Sequence, residues 1–171
     1  GGVGKTTIAK AVYNLNAYQF EASCFLPNVR ETSNRKRGLL RLQQTLLSKI
    51  LGGSSLNVST DDQGINVIKE RFQCKRILLV IDDVDQLEQL EKLVGDHDWF
   101  GLGSRIIITT RDQSLLTNHK VDSTYEMKRL DRKEACELFS WNAFKRNKPN
   151  DEYADLAKHI IHYSGGLPLA L

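Results

Sequence analysis

The chain has 171 residues and a net charge of +3. Its apolar and charged fractions are those of an ordinary globular protein, which excludes a disordered or fibrous chain. The charge is too small and too dispersed for a nucleic-acid groove, which needs a broad basic face with stacking aromatics; the run Arg35, Lys36, Arg37 reads as a solvated loop.

No apolar stretch nears the ~18 residues that span a bilayer. Cys24, Cys74 and Cys136 are odd in number and lack metal-ligand spacing. They read as reduced thiols of an intracellular protein. His159 and His162, three apart on an expected helix, read as packing or surface residues.

In chain order, Lys5 to Phe20 is predicted helical, with Ile8, Val12 and Leu15 on one apolar face. Ser23 to Val29 reads as a strand interrupted by Pro27. Glu31 to Gly38 is a charged loop. Leu39 to Leu51 is a helix whose face is Leu39, Leu42, Leu46 and Ile50, closed by Gly52 and Gly53. A polar loop, Gly53 to Thr60, precedes a helix capped by Asp61 or Asp62, with Ile65, Ile68 and Phe72 inward.

Ile77 to Ile81 is uniformly apolar and is predicted to be a strand buried on both faces. A helix from Gln86 to Val94, a turn at Gly101 to Gly103 and a second buried strand, Arg105 to Thr110, follow. Gln113 to His119 is a short helix and Ser123 to Met127 a further strand. Alternation of this kind specifies a parallel sheet covered by helices. After Leu130 the pattern becomes helical: Asp131 to Lys145, a loop at Pro149 to Asp151, then Glu152 to Ser164 with Leu156, Ile160 and Tyr163 inward. The expected division is residues 1–130 and 131–171.

Gly1-Gly2-Val3-Gly4-Lys5-Thr6-Thr7 matches the end of the phosphate-loop pattern G-x-x-x-x-G-K-[ST], entered partway. Amides converging on a phosphate need a loop free of Cβ atoms, which Gly1, Gly2 and Gly4 provide. The next helix aims its free N–H groups and positive dipole end at the same anion. Lys5 is placed to bridge the β- and γ-phosphates, and the Thr6 hydroxyl to ligate Mg²⁺.

The strand ending Val80-Ile81-Asp82-Asp83 delivers carboxylates to a strand tip, where open α/β sheets bind ligands. Asp82 is expected to hold Mg²⁺ through a water, and Asp83 to orient the attacking water. Asp is one methylene shorter than the Glu of fast ATPases, so slow hydrolysis is expected. A helix-capping role fits Asp85 better than Asp82. Two readings stand for Arg111 at the next strand tip: a sensor of the γ-phosphate, or a surface cap of the strand.

With these residues in view, the chain resembles the NB-ARC domain of plant disease-resistance proteins, the nucleotide-binding leucine-rich-repeat immune receptors. The motifs are GGVGKTT at 1–7, LLVIDDVD at 78–85, GSRIIITTRD at 103–112 and GGLPLAL at 165–171. FLPNVRETS at 25–33, GLLRLQQTLLSKIL at 38–51 and Asp85 resemble the class that carries a TIR domain.

The resemblance implies a P-loop NTPase fold: an α/β parallel sheet of five strands, whose first strand would precede Gly1, followed by the start of an all-helical ARC subdomain. It implies that Arg111 senses the γ-phosphate and that Pro168 contacts the adenine side. It implies a switch, at rest with ADP and opened by ATP into a signalling homo-oligomer, between flanking TIR and leucine-rich-repeat domains. The expected compartments are the cytoplasm and nucleus. On this reading the chain is a fragment that folds poorly alone and binds nucleotide weakly. The alternatives are a turnover ATPase of another P-loop class, and a scaffold with a degenerate site, against which Lys5, Thr6 and Asp82 stand.

Overall fold

A computed structural model describes residues 1–53, 58–149 and 151–171. Positions 54–57 of the expected polar loop, and Asn150 of the later one, lie outside the described residues. The chain forms two units, Thr6–Thr124 and Gly1–Lys5 with Tyr125–Leu171.

The larger unit is built on three parallel strands, β1 (Ala22–Leu26), β2 (Ile77–Val84) and β3 (Arg105–Thr110), in the order β1-β2-β3. The register sets Cys24 opposite Leu79 and Leu79 opposite Ile106. Ile77 through Ile81 are buried, as a central parallel strand covered on both faces requires. Around the sheet lie α1 (Lys5–Asn16), α2 (Val29–Ser33), α3 (Gly38–Ile50), α4 (Asp61–Phe72), α5 (Leu87–Leu93) and α6 (Gln113–Asn118). Leu42, Leu46 and Ile50 of α3 enter one core with Ile68 and Phe72 of α4 and Leu90 and Leu93 of α5. Gln43 ties these three helices polarly, its Nε2 donating to the carbonyls of Asp61 and Lys92.

α1 ends at Asn16 and tightens into a 3₁₀ turn, Ala17–Gln19. Its apolar stripe is not core: Ile8, Val12 and Leu15 are 48%, 36% and 71% exposed. The helix meets β1 instead through Tyr13, whose ring edge abuts Phe25 and whose hydroxyl pairs with Ser23. Periodicity locates an apolar stripe; it does not supply the surface that covers it.

β1 stops at Leu26, because Pro27 has no N–H to continue the ladder. In place of the end of the expected strand and the start of the expected charged loop stands α2, whose first residue, Val29, is fully buried. The cap of α4 is Thr60, which accepts the Gln63 amide, rather than Asp61 or Asp62; both acids lie in the first turn. β2 runs through Asp82 and Asp83 to Val84, past the expected end at Ile81. Ser123 to Met127 forms no strand, and the sheet has three strands among the described residues rather than the four expected within this chain. A strand exists only by pairing, and no described segment pairs with residues 123–127.

The smaller unit holds α7 (Arg132–Phe144) and α8 (Ala154–Ser164). Asp131 caps α7 in a reciprocal box with Glu134. The buried face of α8 is Ala157, Ile161 and Ser164, one position on from the predicted Leu156, Ile160 and Tyr163; Leu156 and Tyr163 are exposed. Ala157 packs with Ala135 of α7. Two small residues let helix backbones approach, and that selects the neighbouring stripe.

Candidate functional site

Gly2 and Gly4 adopt φ of +85° and +92°, the left-handed backbone that side chains disfavour, and α1 begins at the next residue, Lys5. The first turn of α1 carries no acidic residue to compete with an anion at its N-terminus. Within the same unit, the Gly2 carbonyl accepts the Leu169 amide at 3.2 Å. Gly1 through Lys5 thus share a unit with Pro168, which opens the 3₁₀ turn Pro168–Ala170. A Cβ on Gly2 would come to 3.2 Å from that of Leu169, so the loop has little room for a side chain there.

In the larger unit, Thr6 and Asp82 meet across 76 residues of sequence: the Thr6 Oγ1 donates to both Asp82 oxygens, at 2.9 and 3.1 Å. Thr7 is exposed on the first turn of α1. Asp82 is buried, and Thr109 at the end of β3 donates to its Oδ1 at 2.6 Å. The same Thr109 oxygen accepts the Asp83 amide at 2.9 Å.

Asp83 has other side-chain partners than Asp82. Its φ is +61°, and the register between β2 and β3 shifts between Ile81 and Val84. Such an irregularity is common beside functional sites. The Asp83 carboxylate pairs with two arginines: Oδ2 with Arg30 Nη2 at 3.0 Å, and Oδ1 with Arg111 Nε at 3.4 Å. Beyond Arg111, Asp112 caps α6; its bonds from Ser114 hold its carboxyl below the usual carboxylate range.

The donor set fits a hard divalent cation. Asp82 is a buried carboxylate whose described partners, Thr6 and Thr109, are hydroxyls and bring no positive charge. No cluster of three His, Cys, Asp or Glu exists among the described residues. Mg²⁺ does not need one, because it is held by one or two protein oxygens together with phosphates and waters.

Thr6, Asp82, Asp83 and Arg111 are therefore brought together, while Gly1, Gly2, Val3, Gly4, Lys5 and Pro168 group in the other unit. Arg30 and Thr109 touch these acids and were not singled out by the sequence. Arg30 stood within the FLPNVRETS segment and Thr109 within the strand-tip run, but nothing in either spacing showed that they face the acids.

A cavity of about 630 Å³ lies elsewhere in the larger unit, lined by Val94, His97, Phe100, Ile106, Ile108 and His119 among others. Burial, and then the charge of His97, push His119 below the ordinary histidine range. None of the candidate site residues lines it.

Residues 1–149 match the NB-ARC domain family. The chain is 48% identical over its whole length to disease resistance protein RPV1 of Vitis rotundifolia, of which it covers 12%. It is 46% identical to disease resistance protein RUN1 of the same species, covering 13% of it. It is 42% identical to TMV resistance protein N of Nicotiana glutinosa, covering 15%. The chain thus spans a small part of the curated relatives it matches. No described helix is long and apolar enough to cross a membrane.

Proposed function

The chain belongs to the NB-ARC family of nucleotide-binding domains, and from that premise we propose that it is the ADP/ATP switch of a plant immune receptor, with slow Mg²⁺-dependent hydrolysis. The observation that carries this is the bond from Thr6 to Asp82. It joins the last element of the phosphate loop to the acid of the apolar strand, and these are the two groups a phosphate-bound magnesium ion needs on one side.

In this reading residues 1–130 are the nucleotide-binding subdomain and 131–171 the opening of the helical one. Gly1, Gly2, Val3 and Gly4 present backbone amides to the phosphates. Lys5 adds a point charge, and Thr7 lies beside Thr6 on the phosphate side. Thr6 and Asp82 hold Mg²⁺, which when bound neutralises charge on the phosphate oxygens. Arg111 reads the γ-phosphate, and Pro168 borders the adenine. Asp83 orients the attacking water, and does so poorly. Both of its oxygens are engaged by guanidinium groups, which compete with a water for them. That supports a switch over a turnover ATPase.

Reversing a two-state population from 1:99 to 99:1 takes about 5.5 kcal/mol of differential affinity. Contacts made only to a third phosphate, through Lys5, Arg111 and Mg²⁺, are the source of such a difference. The names of the relatives support a parent chain that acts in disease resistance. For that parent we propose flanking TIR and leucine-rich-repeat domains, homo-oligomerisation with ATP, and a place in the cytoplasm and nucleus.

The test is nucleotide binding by the full-length parent protein. Magnesium-dependent ATP binding is expected, weakened at least about tenfold by Lys5→Ala, with turnover on the order of 10⁻⁴ to 10⁻² per second. Absence of magnesium-dependent adenine-nucleotide binding in the unaltered protein overturns the proposal. Turnover of many per second assigns it to a motor class instead.

A further inference from the structure

Asp83 has one carboxylate and two arginine partners, and the partners are not equivalent. Arg30 reaches Oδ2 at 3.0 Å; Arg111 reaches Oδ1 at 3.4 Å through its Nε, longer than a strong charge-assisted bond. The Arg111 side chain is 55% exposed and that of Arg30 40%.

Arg30 is also the better anchored of the two. It follows Val29, which is fully buried. At the other end of α2, Ser33 accepts a bond from Gln89 Nε2 at 2.8 Å, and the same nitrogen donates to Asp85. Asp85 directly follows β2. The five-residue helix is thus pinned to the strand that carries Asp83, and its one arginine is fixed over that acid.

We infer that Arg30 is a positioning residue of the nucleotide site: it keeps Asp83 paired when Arg111 leaves for the γ-phosphate, and so sets the preference of the site for ATP over ADP. The inference rests on the nucleotide-switch reading above. With Arg30 present, departure of Arg111 leaves a neutral one-to-one pair at Asp83. Without Arg30, Asp83 depends on Arg111 alone. The γ-phosphate must then compete with a carboxylate for that guanidinium, and the bare carboxylate repels the phosphate. ADP has no γ-phosphate and is spared both effects.

The experiment measures the Kd of Mg-ATP and of ADP for the full-length parent protein and its variants. Arg30→Gln should raise the ratio Kd(ATP)/Kd(ADP) about tenfold, within the usual range of coupling between sites. Arg30→Lys, which keeps the charge, should retain most of the preference. In an Asp83→Asn background, Arg30→Gln should leave the ratio nearly unchanged, because no carboxylate remains to be held. Arg30→Met keeps the stem on α2 and repeats the measurement should the glutamine variant not fold.

An unchanged ratio with both nucleotides bound overturns the inference and leaves the switch reading standing. Equal weakening of both nucleotides also overturns it, since Arg30 then only supports the fold. An effect of the same size in the Asp83→Asn background overturns it in favour of direct contact between Arg30 and nucleotide. Failure of the unaltered protein to bind either nucleotide overturns the switch reading itself, and this inference with it.

Discussion

The Thr109 hydroxyl donates to Oδ1 of the buried Asp82 at 2.6 Å. Through the same oxygen it accepts the Asp83 amide at 2.9 Å, so one side chain from β3 holds both acids at the tip of β2. The neighbouring Thr110 repeats the arrangement one step on, donating to the Val84 carbonyl at 2.7 Å. The irregular stretch of β2 that holds the two acids is thereby satisfied by side chains where the strand register shifts.

Thr109→Val keeps the shape of the side chain and removes both bonds. It leaves the Asp83 amide without its partner and strips one of the two hydroxyls from a buried carboxylate. A loss of about 1–3 kcal/mol in stability is expected from urea unfolding. The affinity for magnesium-ATP should fall as well, because Asp82 loses its aim, while Thr109→Ser should retain both properties. A valine variant with unchanged stability and nucleotide affinity would mean that Thr6 alone suffices to hold Asp82.

Gly38 starts α3 after the turn that follows the short α2. A Cβ there would collide with the Thr32 carbonyl oxygen and stand 2.7 Å from the Ser33 Cα. Both are backbone atoms, so no rotamer relieves the clash. Gly38→Ala should cost about 2–3 kcal/mol, the scale of a forced overpacking. It should also loosen α2, and with it the pairing of Arg30 and Asp83. Denaturant unfolding measures the first effect. A change below about 0.5 kcal/mol, the level of a neutral surface substitution, would mean that the turn between α2 and α3 relaxes freely.

Cys24 lies in β1 and is fully buried; burial pushes its thiol from 9.0 up to about 11, against a smaller lowering by Lys49. Below pH 9 both folded and unfolded chains keep the proton. Between pH 9 and 11 the unfolded chain gives it up first, so stability falls as pH rises through that window. The gap from 9.0 to about 11 corresponds to roughly 2–3 kcal/mol once the window is crossed. Cys24→Ser should change that slope in unfolding curves taken from pH 8 to 11. At neutral pH a maleimide should modify the exposed Cys74 and spare Cys24, as mass spectrometry of the peptides would show.

The glycine-rich turn before α1, the apolar strand with its acids and the strand-tip arginine were legible in the sequence because each is a local pattern. Glycines must precede Lys5 for amides to face an anion, and Ile77 to Ile81 must be apolar to lie between two layers of helices. The order of strands and helices followed from the same local periods. What lay beyond local pattern was legible only in part. The stripe Ile8, Val12, Leu15 marked a helix and not its partner. The run Ser123 to Met127 had strand composition without a neighbour to pair with. The buried face of α8 shifted by one residue because Ala135, far away in sequence, decided which side could approach.

Sequence alone determined the residue types able to hold a phosphate and a hard cation, since that chemistry resides in single side chains and in backbone freedom. Tertiary structure decided which of them meet. It set Thr6 on Asp82 and brought Arg30 to Asp83 from 53 positions away. It also gave two adjacent acids different partners, hydroxyls at Asp82 and guanidinium groups at Asp83. Such contacts depend on the register of one strand against the next and on where a short helix is pinned, and neither is written in the spacing of residues along the chain.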